Sequence, residues 1–244
     1  MLDPLADSYR IGVDIGGTFT DVVLRSASGQ VATRKVSTTP DDYGRAILQC
    51  VGELIAELRL APTGAREVIH GTTVATNTIL ERKGARTGLL TTRGFRDTLE
   101  IGRLRYPRMY DLTWQKPVPL VERRWRREVI ERLDQAGNVV DALDEESARE
   151  AIGFLLGEGV ESFAICLLHS YANAAHEQRL AQLIAELAPD RPRSLSTEVL
   201  PEIGEYERTS TTVINAYIQP VVGRYLASLA QGLAGVGVQA PVLV

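Results

Sequence analysis

The chain has 244 residues, 44% hydrophobic and 24% charged, a globular balance that excludes a disordered tail, a collagen-like rod and a coiled coil. Its 27 basic and 31 acidic residues give a net charge of −4, so bulk charge does not recruit nucleic acid. Two cysteines, Cys50 and Cys166, are too few for a disulfide framework or a four-cysteine zinc site.

No apolar run reaches the roughly 18 residues that a spanning helix needs. The opening MLDPLADSYR lacks the basic and apolar regions of a secretory signal. These features predict a soluble, cytoplasmic protein with neither membrane nor nucleic acid as a partner.

Residues 9–36 predict a β-meander. Ile11, Val13 and Ile15 alternate with Gly12, Asp14 and Gly16, a period of two. Gly16-Gly17 permits a tight reversal, Phe19 to Leu24 forms the second strand, Ser26–Gly29 turns, and Val31 to Val36 returns. A helix follows, with Thr39 as N-cap, Pro40 at its first position and Asp41 and Asp42 at the positive end of the dipole. Its apolar face, Ala46/Ile47, Cys50/Val51, Leu54/Ile55 and Leu58, makes Cys50 a buried, inert thiol.

A strand at Val68–His70 and a helix opening at Thr72 or Thr73 come next, with Gly84 expected just past the helix end. Another strand follows at Arg86–Leu90. Residues 101–132 hold nine Lys/Arg, four Asp/Glu and both tryptophans. Glu122, Glu128 and Glu131 interrupt this basic stretch, so a solvated face or subunit interface fits it better than a nucleic-acid patch. Asp144 caps a helix bearing Ala148, Ala151/Ile152 and Leu155/Leu156. A strand at Phe163–Leu168, a helix over 174–187 with Asn173 as N-cap, and a strand at Ser194–Val199 complete the βα rhythm. A helical pattern from Glu205 to Leu233 contains Pro220, which should kink or divide it. Residues 240–244 read as the start of a strand. No internal repeat is present.

The segment Gly12-Val-Asp14-Ile-Gly16-Gly17-Thr18-Phe-Thr20-Asp21 lies between two strands, which excludes the dinucleotide fingerprint, and no GxxxxGK[ST] loop occurs. A Gly-Gly-Thr hairpin tip lets backbone N–H groups approach phosphate oxygens, and the Thr18 and Thr20 hydroxyls add donors. Asp14 is placed to hold Mg²⁺ through water. An ordinary hairpin with solvated aspartates is the plain alternative. His70-Gly-Thr-Thr73 precedes a helix whose first amides, with Asn77 one turn on, suit an anion or a substrate carbonyl; a simple N-cap is again the alternative. His70, His169 and His176 do not have the spacing of a helical zinc site. Cys166 reads as packed core. Arg103 and Arg105 are candidate anion ligands, and Glu202, Glu205, Glu207 and Arg208 read either as a capping cluster or as residues reaching a cleft.

The sequence resembles the hydantoinase A/5-oxoprolinase family. The likeness rests on GVDIGGTFTD (12–21), HGTTVATNTILERKGARTGLLTTRGFRD (70–97), LLHSYAN with AHE (167–173 and 175–177) and PEIGEYERTSTTVINAYIQP (201–220). It implies an α/β fold: an actin-like ATPase (ribonuclease H-like) lobe, a mixed sheet with a β-meander and flanking helices. The implied domains are 8–204, the family's N-terminal domain, and 205–244, the start of the next. A second lobe carrying another phosphate loop would begin near residue 240, so this stretch alone is expected to bind nucleotide weakly and catalyse nothing.

The resemblance further implies ATP and Mg²⁺ as cofactors and a cyclic amide as substrate, opened after phosphorylation of its oxygen. A hydantoinase B-like subunit or domain is the implied partner, in an oligomer. An ATP-dependent ketone carboxylase subunit and a non-catalytic nucleotide-binding module are the other readings. A sugar kinase sharing D-x-G-G-T would resemble its relatives in a zinc-binding cysteine cluster, which two cysteines cannot supply. The site candidates are Asp14 and His70 for catalysis, with Asp14 also the metal ligand; Gly16, Gly17, Thr18, Thr20 and Asp21 for nucleotide; and Thr72, Thr73, Asn77 and Arg103 for substrate.

Overall fold

Alternating burial sets the first strands, as the period-two pattern predicts. β1 (Tyr9–Ile15) buries Tyr9, Ile11, Val13 and Ile15, and β2 (Phe19–Ser26) buries Thr20, Val22 and Leu24. β3 (Val31–Ser37) completes the meander. This computed structural model describes residues 8–16, 18–39, 43–103, 110–111 and 113–244. The expected helix start at Pro40, Asp41 and Asp42 lies outside them. α1 (Tyr43–Glu57) presents Ile47, Cys50, Val51 and Leu54 to the core, and burial pushes the Cys50 thiol up.

β4 (Ala65–Thr72) and α2 (Val74–Leu80) follow. The chain beyond α2 turns through Arg82, at φ +54°, rather than at the predicted Gly84. Gly84 is a glycine for another reason: a Cβ there would lie 2.1 Å from Cε1 of the Tyr217 ring.

β5 (Thr87–Thr92), α3 (Thr98–Ile101), β6 (Arg126–Val129) and the short pair β7 (Arg132–Leu133) and β8 (Val139–Asp141) come next. α4 (Glu145–Gly157) is capped as predicted: Asp144 accepts from the N–H groups of Glu146 at 2.9 Å and Ser147 at 3.1 Å. β9 (Ser162–Cys166) and α5 (Ala175–Leu187) follow, the latter with Asn173 accepting from Ala175 N–H at 3.0 Å.

The strand predicted at 194–199 is only β10 (Arg193–Leu195), because Ser196 and Thr197 turn onto the buried Glu177 carboxylate and begin α6 (Ser196–Val199). α7 (Glu205–Gly235) runs through Pro220 without a break, and β11 (Val242–Leu243) ends the described chain. Among the described residues no helix is long and apolar enough to cross a membrane.

By contact the chain forms two compact units, residues 1–80 with 221–244, and residues 81–220. The division falls inside α7, between Pro220 and Val221. The boundary expected at 204/205 is a division between sequence families rather than contacts, and we retain it as a proposal.

The first unit is a five-stranded mixed sheet ordered β11-β4-β1-β2-β3, with β1, β4 and β11 parallel and the meander antiparallel. This is the sheet expected of the actin-like lobe. Its core joins β1, β2 and β4 to α1 and to Leu229 and Leu233 of α7. Each fully buried Leu or Ile there contributes roughly 1.5–3 kcal/mol. The second unit holds a parallel sheet ordered β10-β9-β5-β6. β5 and β9 are buried throughout, as strands covered on both faces must be. Leu155, Leu180 and Ile184 pack in one apolar cluster, and Leu99, Val213 and Ala216 in another.

Candidate functional site

The hairpin between β1 and β2 is closed by main-chain geometry. Ile15 faces Thr20 and Asp14 faces Asp21 across the pair. Gly16 N–H donates to the Phe19 carbonyl at 2.9 Å, and a Cβ on Gly16 would stand 3.1 Å from that same oxygen. Gly17 lies outside the described residues.

Thr38, just past β3, braces the tip. Its N–H donates to the Thr18 carbonyl at 2.9 Å and its hydroxyl to the Gly16 carbonyl at 2.9 Å. Because that hydroxyl proton is committed to Gly16, Thr20 Oγ1, 3.1 Å away and fully buried, donates to Thr38 Oγ1. The Thr20 hydroxyl therefore supports the tip from behind, while Thr18 is exposed. Thr38 was not singled out from the sequence; Ser-Thr-Thr-Pro read only as the approach to a helix.

Asp14 and Asp21 are directly opposite one another, and such like-charged pairs repel. Lys35 on β3 neutralises Asp21 at 3.0 Å and lies 5.2 Å from the Phe19 ring. Asp14 is exposed and makes no hydrogen bond or ion pair with any described residue. On its other side the register partner in β4 is Gly71, and a Cβ there would lie 3.1 Å from Asp14 Oδ1. The strand mouth thus leaves a carboxylate beside bare backbone, a cradle that any side chain at 71 would fill.

His70 does not share that face. It is buried with Val68 on the core side of β4, and its Nε2 stands 2.6 Å from the Tyr225 hydroxyl of α7. Burial pushes the imidazole below its usual 6.5, against the upward pull of the Val13 backbone and the Asp14 charge. Thr72 caps the start of α2, its Oγ1 accepting from Val74 N–H at 3.2 Å. Thr73 Oγ1 donates to the Ile15 carbonyl at 3.4 Å and accepts from Asn77 Nδ2 at 3.3 Å. These residues join α2 to the end of β1 as one polar corner.

Arg103, in the second unit, is engaged by Glu207 at 2.5 Å, and that partner raises its pKa. Arg105 lies outside the described residues. The other two histidines are also in the second unit. His169 sits in a turn at φ +58° with the Tyr171 hydroxyl 3.4 Å from its Nδ1. His176 is buried in the first turn of α5, 2.7 Å from Glu131, whose other oxygen accepts from Thr92.

Beside it a second buried cluster gathers around Glu177. Its carboxylate accepts from Leu167 N–H (2.9 Å), Ser170 Oγ (2.8 Å), Ser196 Oγ (2.7 Å) and Thr197 N–H (3.1 Å). Arg208 is 1% exposed and bonds the Leu167 carbonyl and, at 2.8 Å, Ser170 Oγ, so it is neither a helix cap nor a surface charge. It also stands 3.6 Å from the buried Cys166 sulfur, a cation that the sequence around Cys166 does not announce. Burial nevertheless holds that thiol up.

The family profile described as Hydantoinase/oxoprolinase N-terminal region matches residues 10–188. The chain is 37% identical to caprolactamase subunit alpha of Pseudomonas jessenii, over 96% of this chain and 34% of that protein. It is 32% identical to 5-oxoprolinase of Saccharomyces cerevisiae, over 93% of this chain and 20% of that protein. Among solved structures it is similar to ATP-dependent caprolactamase from Pseudomonas jessenii (TM-score 0.87, 36% identity, 96% of this chain and 35% of that one). It is also similar to acetone carboxylase in its nucleotide-free structure (TM-score 0.84, 28% identity, 95% and 35%). The chain spans between about a fifth and about a third of the length of these relatives.

Proposed function

This chain belongs to the hydantoinase/oxoprolinase family, and from that premise we propose that its first unit holds the phosphates of ATP in an enzyme that opens a cyclic amide. The observation that carries the reading is Asp14, a carboxylate at a strand end without a partner among the described residues, beside the bare backbone of Gly71 and next to a glycine hairpin tip. Such a place suits a hydrated Mg²⁺, which favours few carboxylates and several waters. Bound ATP would supply the phosphoryl group that turns the amide oxygen into a leaving group.

The chain's own residues then do the following. The exposed Thr18 takes the phosphates through its hydroxyl, Gly16 N–H being spent inside the tip on the Phe19 carbonyl; Thr20 and Thr38 hold the tip in place beneath them. Asp14 would hold a hydrated cation there, and Lys35 keeps Asp21 from adding a second free negative charge. The hairpin is organised before any ligand arrives, so its donors need little rearrangement as charge builds on the transferring group. Thr72, Thr73 and Asn77 form the adjoining wall, where we place the substrate amide. His70, neutral and tied to Tyr225, sets the position of β4 against α7 from the core side.

The relatives described as subunits support a hetero-oligomer with a hydantoinase B-like partner. We place the protein in the cytoplasm. The likeness to acetone carboxylase, at a TM-score of 0.84, supports a second reading in which the activated oxygen belongs to bicarbonate and the acceptor is a ketone.

The experiment is ATP hydrolysis by the protein, assembled with any partner subunit, against lactams, hydantoins and ketones with and without bicarbonate, beside an Asp14→Ala variant. Stimulation by a cyclic amide with ring-opened product, lost in the variant, is the expected result. Stimulation by ketone plus bicarbonate alone moves the protein to the carboxylases. No stimulation and no effect of Asp14→Ala reduces it to a binding module.

A further inference from the structure

The β1–β2 pair carries opposed like charges at both of its ends, and the two ends are treated differently. At the hairpin end Asp14 faces Asp21, and Lys35 neutralises the latter. At the far end Arg10 faces Arg25, an arrangement that weakens a sheet unless something offsets it. Glu67 on β4 pairs with Arg10 at 2.9 Å. Arg25 has no such neighbour, because the residue opposite it on β3 is Val31.

A third guanidinium arrives through a bulge. Tyr9 faces Ala65 and Arg10 faces Glu67, so Arg66 is an extra residue in β4. Ala65 and Val68 both pack on the core although they are three residues apart, which a period of two forbids without that insertion. The bulge leaves Arg66 exposed, and bulges commonly re-aim a side chain at a site. Arg10, Arg25 and Arg66 line one open cavity with Ser8, Ser26 and Ala27, with free space of about 290 Å³. The Arg25 and Arg66 side chains make no hydrogen bond or ion pair with any described residue. With Arg10 offset by Glu67, the cavity keeps two uncompensated positive charges in a chain whose net charge is −4.

We propose that this cavity is a phosphate site, holding a phosphate group, free or carried by a small monoester, between Arg25 and Arg66. The two charges left over match a dianion. Guanidinium donors suit phosphate oxygens in paired hydrogen bonds. The walls are mostly polar, which favours a compact anion over a ring or an acyl chain. Because the cavity is open, the ligand keeps part of its hydration and no charge is buried alone. Arg10 lies four residues along β1 from Asp14, about 13 Å at the rise of a strand. The site uses no divalent cation, so it and the hairpin's ATP role can fail separately.

The test titrates the protein, in EDTA and at constant ionic strength, with inorganic phosphate and with methyl phosphate; chloride and acetate are the controls. Calorimetry and the arginine Nε–H resonances report binding. Saturable binding that moves Arg25 and Arg66 is expected, and the tighter of the two probes names the source of the phosphate. Arg25→Gln and Arg66→Gln should each weaken it about tenfold, the effect of one unit charge about 5 Å from a dianion in water. Arg191→Gln, which removes an exposed charge from the second unit, should leave it unchanged. Glu67→Gln frees Arg10 and should tighten binding several-fold, a gain that a misfolded variant cannot imitate. No saturable response in wild type or in Glu67→Gln overturns the proposal, as does an equal response to chloride or acetate. Binding that appears only once residues 2–7 are removed assigns the cavity to the carboxylates of Asp3 or Asp7 and overturns it too.

Discussion

Replacing Thr38 by valine tests whether the hairpin tip is held from behind. The change keeps the shape and removes one hydroxyl, which donates to the Gly16 carbonyl at 2.9 Å and lies 3.1 Å from Thr20 Oγ1. Gly16 is half-buried, so water can reach its carbonyl in part. Thr20 is fully buried, and its hydroxyl loses its acceptor outright. A buried polar group left unpaired costs about 1–3 kcal/mol, so Thr38→Val should cost about 2 kcal/mol, a factor of roughly 30 in the folded-to-unfolded ratio.

Thr20→Val alone should cost somewhat less, because Thr38 keeps its bond to Gly16. Removing both hydroxyls takes away the orphan along with its partner, so the double variant should cost at least about 0.5 kcal/mol less than the sum of the singles. Urea unfolding monitored at constant m-value measures all three. A Thr38→Val cost within about 0.5 kcal/mol of zero, or a cycle additive within that margin, refutes the bracing role. In the assembled enzyme the same variant should raise the ATP concentration needed for half-maximal rate more than it lowers the maximal rate.

Gly71→Ala should displace the Asp14 carboxylate, whose Oδ1 would be 3.1 Å from the new Cβ, weakening Mg²⁺-ATP binding while thermal unfolding shifts little. Gly84→Ala drives a methyl to 2.1 Å from the Tyr217 ring; overpacking of this kind costs about 1–3 kcal/mol, read by urea unfolding and relieved by Tyr217→Leu in the double variant. His70 has a folded pKa below its usual 6.5, so the unfolded chain binds more protons below that pH. Its contribution is complete above 6.5 and declines as pH falls from there through the folded value. His70→Gln should flatten the stability-versus-pH slope in that window, whereas carboxylates such as Glu145, held at about 2 by Arg179 and Arg149, act only below their usual 4.5.

The elements legible in the sequence were those fixed by local chemistry. Alternation gave β1 to β3, three- and four-residue spacing gave α1, and the Asp144 side chain announced the start of α4 through its own bonds. What misled was each place where a distant group overrode the local pattern. Gly84 resembled a helix terminator but is small to make room for Tyr217, and the positive φ fell to Arg82. Ser194–Val199 had the composition of a strand, yet Ser196 and Thr197 are claimed by Glu177, nineteen and more residues away. Pro220 was expected to interrupt α7, but the division it marks is one of contacts, not of helix.

The same distinction governs the sites. The hairpin could be found because Asp14, Gly16, Thr18 and Asp21 are neighbours in sequence and their chemistry is local. The face each occupies was not equally open to reading. Once β1 and β4 pair in parallel with Val13 beside His70, period two sends His70 to the core and leaves Asp14 and Gly71 outside. A catalytic pairing of Asp14 with His70 therefore needs more than adjacency in the register. Arg208 was legible only as part of a capping cluster or as a residue reaching a cleft, because its partners Leu167, Ser170 and Tyr171 lie some 40 residues earlier. A guanidinium at a helix start among glutamates looks like a capping charge until its burial against Leu167 and Ser170, the latter bonded in turn to the buried Glu177 carboxylate, shows that it belongs to the core.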